Sequence, residues 1–200
     1  SIRDNAAALD AALANIKICD PAIGSGAFPV GLMQEVVKAR TVLTTYLVPN
    51  KFGSPASFPD TPNQPDSGIY SERTPYHFKR HTIQESIYGV DIDPGAVDIA
   101  KLRLWLSLVV DEDSYDTIQP LPNLDYKIVC GNALLGVEKD LFNLHLFEEI
   151  ERLKPIYFAA TDPAEKRDLK SQIDGLIAQL THGNQQFDFE IYFSEVFHHN

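Results

Sequence analysis

Three places in the sequence set acids or an amide beside glycines in a way that could hold a ligand. In KICDPAIGSGAFPVG, residues 17–31, an apolar run ends at Asp20, and Gly24 and Gly26 precede a helix-like run. A strand feeding a glycine-rich turn and then a helix presents unpaired backbone N–H groups and a positive dipole end. Gly24 and Gly26, with Ala22 before them, keep the backbone bare, and either glycine can take a positive φ. Asp20 at the strand end favours a ligand with positive charge or hydroxyls over a bare diphosphate. The Lys-Ser/Thr pair of a phosphate-binding loop is missing as well. A nicotinamide dinucleotide also fits poorly. Pro29 stands where a third glycine belongs, and the acid closing the second strand, Asp91, lies far beyond the ~20 residues that such a site wants.

In YGVDIDPGAV, Asp91 and Asp93 alternate with Ile92, so in a strand both carboxylates share a side that Ile92 avoids. Asp93 before Pro94 reads as a helix N-cap, which leaves Asp91 free to accept both hydroxyls of a ribose. Ile92 offers an apolar contact for a flat ring. After the third strand, GNALLG sets Asn132 where its amide could read the edge of an adenine. Successive strand ends thus supply a grip for an amino-acid part, a sugar and a base, the place where open α/β sheets hold ligands. The ligand they jointly describe is S-adenosylmethionine. No His, Cys or carboxylate set has metal-ligand spacing; HFKRH (77–81) and FHHN (197–200) read as surface histidines.

The elements that must position these groups follow in the order helix, strand, helix, strand, helix, strand, the pattern of a parallel sheet with crossover helices. AAALDAALANI (6–16) predicts a short helix with a stripe of Ala8, Leu9, Ala12, Leu13 and Ile16, running into the strand IKIC. A second helix should run from the glycines, with Pro29 in its first turn, to the residues before Pro49. Residues 49–76 hold six prolines and two glycines and read as a loop insertion. SIYGVDI is the second strand. The helix after Pro94 is apolar nearly all round, which predicts cover on both sides and a core position for Trp105. LDYKIVC is the third strand. Cys19 and Cys130 each close an apolar run and read as buried, reduced thiols, which suits a cytoplasmic location. DLFNLHLFEEIERL and DPAEKRDLKSQIDGLIAQL predict a helical hairpin, the second helix capped by Asp162 and buried along Leu169, Ile173, Leu176, Ile177 and Leu180. An aromatic segment, FDFEIYFSEVFHHN, follows.

Apolar residues at 44% and charged residues at 22% mark a globular chain, and no apolar run is long enough to span a bilayer. With 17 Lys and Arg against 28 Asp and Glu, the net charge of −11 should repel a phosphate backbone unless cations gather on one face.

DPAIGSGAF resembles the first motif of adenine-specific DNA methyltransferases, particularly the large restriction–modification enzymes that join methylase and endonuclease in one chain. YGVDIDPGAVDIAKLRLWLSLV is similar to their second motif and helix, GNALLG to their third, and FDFEIYFSEVF to the segment before their catalytic motif. The resemblance implies a Rossmann-like methyltransferase fold of the α/β class: a partial parallel sheet of order 3-2-1 with a C-terminal helical hairpin. It implies that Asp20, with the backbone at Ala22, Gly24 and Gly26, holds the methionine part of S-adenosylmethionine. Asp91 would grip the ribose, and Ile92 and Asn132 would flank and read the adenine. Asn132 stands where many relatives have Asp. The family's Asn/Asp-Pro-Pro-Tyr/Phe motif is absent, since none of the thirteen prolines is followed by another. The chain is therefore expected to be an inactive piece of a longer enzyme, with 1–136 as the cofactor-binding half and 137–200 leading toward the missing motif. DNA would be met by other parts of that parent, and no membrane is involved. The exposed edge of strand one should be covered by the C-terminal segment or by a second copy. The competing readings are a methyltransferase acting on RNA or protein, and a non-catalytic interaction module of nucleotide-binding shape.

Overall fold

The structure, a computed structural model, describes residues 2–47, 73–110, 123–137, 143–181, 183 and 186–197. Most of the loop expected over 49–76 and the end of FHHN lie outside the described residues. The protein is mostly helical, with one small three-stranded parallel sheet among the described residues. Its strands are β1 (Ile18–Asp20), β2 (Ile87–Asp91) and β3 (Ile128–Cys130), in the order β1-β2-β3. This is the expected 3-2-1 order counted from the other edge, with β2 central. β2 and β3 are parallel, pairing Gly89 with Ile128, Val90 with Val129 and Asp91 with Cys130. Residues 87–90 are all buried, as a strand covered on both faces requires. Among the described residues no helix is long and apolar enough to cross a membrane.

The chain divides into two compact units. The first comprises residues 1–18, 28–87 and 103–122. It holds α1 (Ile2–Asn15), nearly all of α2 (Ala27–Leu47), α3 (Pro75–His81) and a π-helical turn (Thr82–Ser86). Its core includes Met33, Val36, Val37, Leu43, Phe78 and Ile83. α1 does not bury the predicted stripe. Ala8, Leu9, Ala12 and Ile16 are exposed, and the helix instead turns Ala6 and Asp10 inward. The reason is electrostatic: Asp10 accepts from Arg40 Nε at 3.0 Å and from Arg73 Nη1 at 3.0 Å, an ion triad that the alanine pattern does not reveal.

The segment HFKRH is likewise no surface patch. It lies in α3, which starts at Pro75 inside the expected loop because Thr74 caps it by accepting from the His77 N–H. Phe78 and Lys79 are buried, the Lys79 ammonium donates to the Ser107 carbonyl, and His77 and His81 are half-buried.

The second unit comprises residues 19–27, 88–102 and 123–200. α4 (Pro94–Val109), which passes through both units, buries one stripe, Val97, Ala100, Leu104 and Leu108. Ile99, Leu102 and Leu106 are about half exposed and Trp105 is half-buried, so the two-sided cover expected of this helix is not found. An all-round apolar helix does not itself say which faces are packed. Cys19 and Cys130 are exposed rather than buried: Cys130 ends β3 where the chain opens to a loop, and Cys19, in the middle of β1, points to the uncovered side of that short strand.

α5 (Leu144–Ala159) and α6 (Pro163–Leu180) form the expected hairpin, with α5 continuing past Pro155. Leu169, Ile173, Ile177 and Leu180 are buried against Phe147, Ile150, Leu153 and Tyr157, and Leu176 is partly buried. The Asp162 carboxylate accepts from the N–H groups of Ala164 and Glu165 at 2.9 and 2.8 Å. Asp162→Ala should therefore cost about 1 kcal/mol in urea unfolding, with Asp162→Ser restoring most of it. The C-terminal segment holds α7 (Phe189–Tyr192) and α8 (Ser194–Phe197). It packs beside β2 and β3: Phe193 meets Tyr88 edge-on, and Phe187 fills the space over Gly131, where a Cβ would lie 2.6 Å from its ring.

Candidate functional site

The site is built where the strands end. β1 closes at Asp20, whose Oδ1 accepts from the Ala22 N–H at 3.1 Å and starts the turn. The Ile23 N–H donates to the Val90 carbonyl at 2.9 Å, tying the turn to β2. Gly24 and Gly26 adopt φ of 53° and 77°, the left-handed region that side chains disfavour. Their surroundings differ. A Cβ on Gly26 would lie 3.1 Å from Ala100 of α4, so this glycine lets turn and helix meet. A Cβ on Gly24 would meet nothing within 4 Å, so this side of the turn is open to a ligand.

Asp91 ends β2, and both of its carboxylate oxygens are engaged. Oδ2 accepts from the Gly24 N–H at 2.8 Å and Oδ1 from the Asp93 N–H at 3.0 Å. Those backbone hydrogen bonds, Asp93 first, hold its carboxyl below the usual carboxylate range against a small opposing effect of burial. Asp93 caps α4 as expected, accepting from the Gly95 N–H at 2.8 Å. Ile92 is 71% exposed, an apolar surface available for contact.

Because Cys130 is paired with Asp91 and the Gly131 N–H donates to the Asp91 carbonyl at 2.9 Å, the β3 loop begins beside the same strand end. There the Asn132 Oδ1 accepts from the Leu134 N–H at 3.1 Å, which closes a side-chain-capped turn. The Leu135 carbonyl accepts from the Phe187 N–H at 2.8 Å, so the aromatic segment braces this loop.

Asp20, Ala22, Gly24, Gly26 and Asp91 thus lie together where β1 and β2 end, with Ile92 just after β2 and Asn132 just after β3. Sequence reasoning missed the bond between Asp91 and Gly24, for which no local signal exists. Among the described residues no group of three or more His, Cys, Asp or Glu could hold a metal ion. The residues fit S-adenosylmethionine. An open glycine turn, a carboxylate with acceptor capacity to spare and an exposed isoleucine suit its amino-acid, sugar and base parts in turn.

Comparison with known proteins places the chain. The family model of the Eco57I restriction-modification methylase matches residues 85–200. A Methanocaldococcus jannaschii protein named as a type II restriction enzyme and methyltransferase, RM.MjaORFECS2P, is 34% identical over 138 residues. That match covers 67% of this chain and 10% of the relative. The Escherichia coli type II restriction enzyme and methyltransferase RM.Eco57I is 27% identical over 148 residues, which cover 70% of this chain and 14% of the relative. The chain therefore spans only a small part of the length of these relatives. No solved structure matches it. With a family match over more than half of its length, the chain belongs to the Eco57I restriction-modification methylases.

Proposed function

We propose that this chain is the S-adenosylmethionine-binding part of a DNA methyltransferase that modifies the N6 amine of adenine, in a longer protein of a restriction–modification system. One observation carries the reading: an acid-closed strand, a turn with two left-handed glycines and a second strand-end acid, Asp91, bonded to that turn. The relatives' names support the methyltransferase activity. The Rossmann-like methyltransferase fold belongs to the same reading, supported by the β1-β2-β3 order and the site at the strand ends. We assign the cofactor-binding half to residues 1–136 and the approach to the catalytic motif to residues 137–200.

The cofactor, when bound, supplies a methyl group on a sulfonium, already a good leaving group. What this chain's residues do is hold and orient it. The turn at Asp20, Ala22, Gly24 and Gly26 receives the amino-acid part, Asp91 accepts from the ribose hydroxyls, Ile92 lies against the ring, and Asn132 reads its edge. Alignment is the larger share of catalysis in such a transfer. The groups that receive the flipped base would come from the parent, since these residues contain no Asn/Asp-Pro-Pro-aromatic motif. DNA contact falls to the parent as well, given the net charge of −11.

Titration calorimetry of the chain with S-adenosylmethionine and S-adenosylhomocysteine tests this, with NAD and ATP as competitors. Saturable one-to-one binding of both sulfur ligands, untouched by NAD or ATP, is the expected result, with no methyl transfer to DNA by these 200 residues. Displacement by either competitor, or no binding of the sulfur ligands, would refute the assignment.

A further inference from the structure

We infer that Asp91 is a positioning residue for the glycine turn: its carboxylate latches Gly24 in the left-handed conformation, so that one side chain sets both halves of the ligand site. The inference rests on the reading of this site as one for S-adenosylmethionine, and adds to Asp91 a role other than gripping the sugar.

Gly24 and Asp91 are 67 residues apart and meet only because β1 and β2 are neighbours. The turn is clipped to β2 at two consecutive places: the Ile23 N–H on the Val90 carbonyl at 2.9 Å, and the Gly24 N–H on Asp91 Oδ2 at 2.8 Å. The second clip matters because packing does not enforce the Gly24 conformation. A Cβ there would touch nothing, and a glycine left to itself samples both signs of φ. Gly26 is different, being seated on Ala100. The carboxylate is itself fixed, since its other oxygen accepts from the Asp93 N–H at the start of α4. Strand end, helix start and glycine turn are therefore joined through a single side chain.

A carboxylate offers about four acceptor positions, and two are used here, so ribose hydroxyls can be added without breaking the latch. The carboxyl is held below the usual carboxylate range by the Asp93 and Gly24 hydrogen bonds, which keeps it charged, the stronger acceptor state, at neutral pH. The consequence is a coupling: loss of Asp91 should disturb the binding of the amino-acid part even where no sugar hydroxyl is at stake.

The test compares S-adenosylhomocysteine with its 2′,3′-dideoxy analogue, which cannot bond to a ribose acceptor, on the wild-type chain and on Asp91→Ala and Asp91→Asn. The latch predicts that Asp91→Ala binds the dideoxy analogue about tenfold more weakly than wild type. Asp91→Asn, which keeps one acceptor oxygen, should recover part of that loss, and exchange of the Gly24 amide should accelerate in Asp91→Ala. Equal affinity of wild type and Asp91→Ala for the dideoxy analogue, with the loss confined to S-adenosylhomocysteine, would overturn the latch and leave the cofactor assignment intact. Failure of the wild-type chain to bind either ligand would overturn the cofactor assignment and the latch with it. Should Asp91→Ala not fold, Asp91→Asn carries the same comparison, and a dideoxy affinity unchanged from wild type would sink the proposal.

Discussion

Lys154→Met should lower stability by about 2–4 kcal/mol, measured by urea unfolding. Lys154 lies on α5 with its side chain only 2% exposed. Its ammonium donates to the Ile191 carbonyl at 2.9 Å and to the Tyr192 carbonyl, both at the end of α7, where helix carbonyls need partners. The Glu195 carboxylate stands 3.7 Å away, and its oxygens have no hydrogen-bond partner among the described residues. Methionine would fill the volume and leave two buried carbonyls and a carboxylate uncompensated. Adding Glu195→Leu should recover part of the loss, because removing both partners of an ion pair costs less than removing one.

The effect should also depend on pH. Burial pushes the Lys154 amine down to about 8, against the opposing charge of Glu195. In the unfolded chain it titrates near 10.5. Between those values the unfolded state holds a proton that the fold has given up, so wild-type stability gains with rising pH. The gap between wild type and Lys154→Met should widen across that window. A gap that stays constant, or a total loss below 0.5 kcal/mol, would mean that the amine contributes nothing specific.

Asp10→Ala should be the most damaging single change in the first unit, by about 3–5 kcal/mol, the usual cost of stranding buried charge. The Arg40, Asp10 and Arg73 side chains are 8%, 11% and 19% exposed, and both guanidinium groups lie over the Phe78 ring, 4.5 and 5.2 Å from its centre. Without the carboxylate, two cations share one apolar surface. Burial raises the Asp10 pKa, but hydrogen bonds from Arg73 and Arg40 and their charges outweigh it and hold the carboxyl below 3.8. The stabilisation is therefore present above that pH and is lost as pH falls through the lowered value. Thermal melts of wild type and Asp10→Ala should converge in that acid range; a difference that persists unchanged would show that Asp10 acts through packing alone.

Much of the second unit is legible in the sequence, because its signals are local. Asp93 and Asp162 cap the helices their spacing announced, the Leu169–Leu180 stripe is buried, and both turn glycines take positive φ. The first unit was less readable, because Asp10, Arg40 and Arg73 are drawn together by the fold from three distant places, and an alanine-rich helix can bury either face at similar cost. The same limit hid the Asp91–Gly24 bond: each residue was singled out alone, but a contact spanning 67 residues leaves no trace in spacing. The seat of Phe187 over Gly131 is hidden for a like reason, since aromatic composition gives burial without an address.

The two units also constrain how this gene could be dissected. The first is assembled from residues 1–18, 28–87 and 103–122, the second from 19–27, 88–102 and 123–200. No continuous reading frame encodes either, so serial truncation would remove parts of both rather than peel off one. Residues 19–27 leave the first unit, supply the glycine turn to the second and return within a single coding stretch of nine codons. Homologous exchange between relatives would therefore succeed only with crossovers that carry 19–27, 88–102 and 123–200 together, tying the inheritance of the glycine turn to that of the aromatic tail.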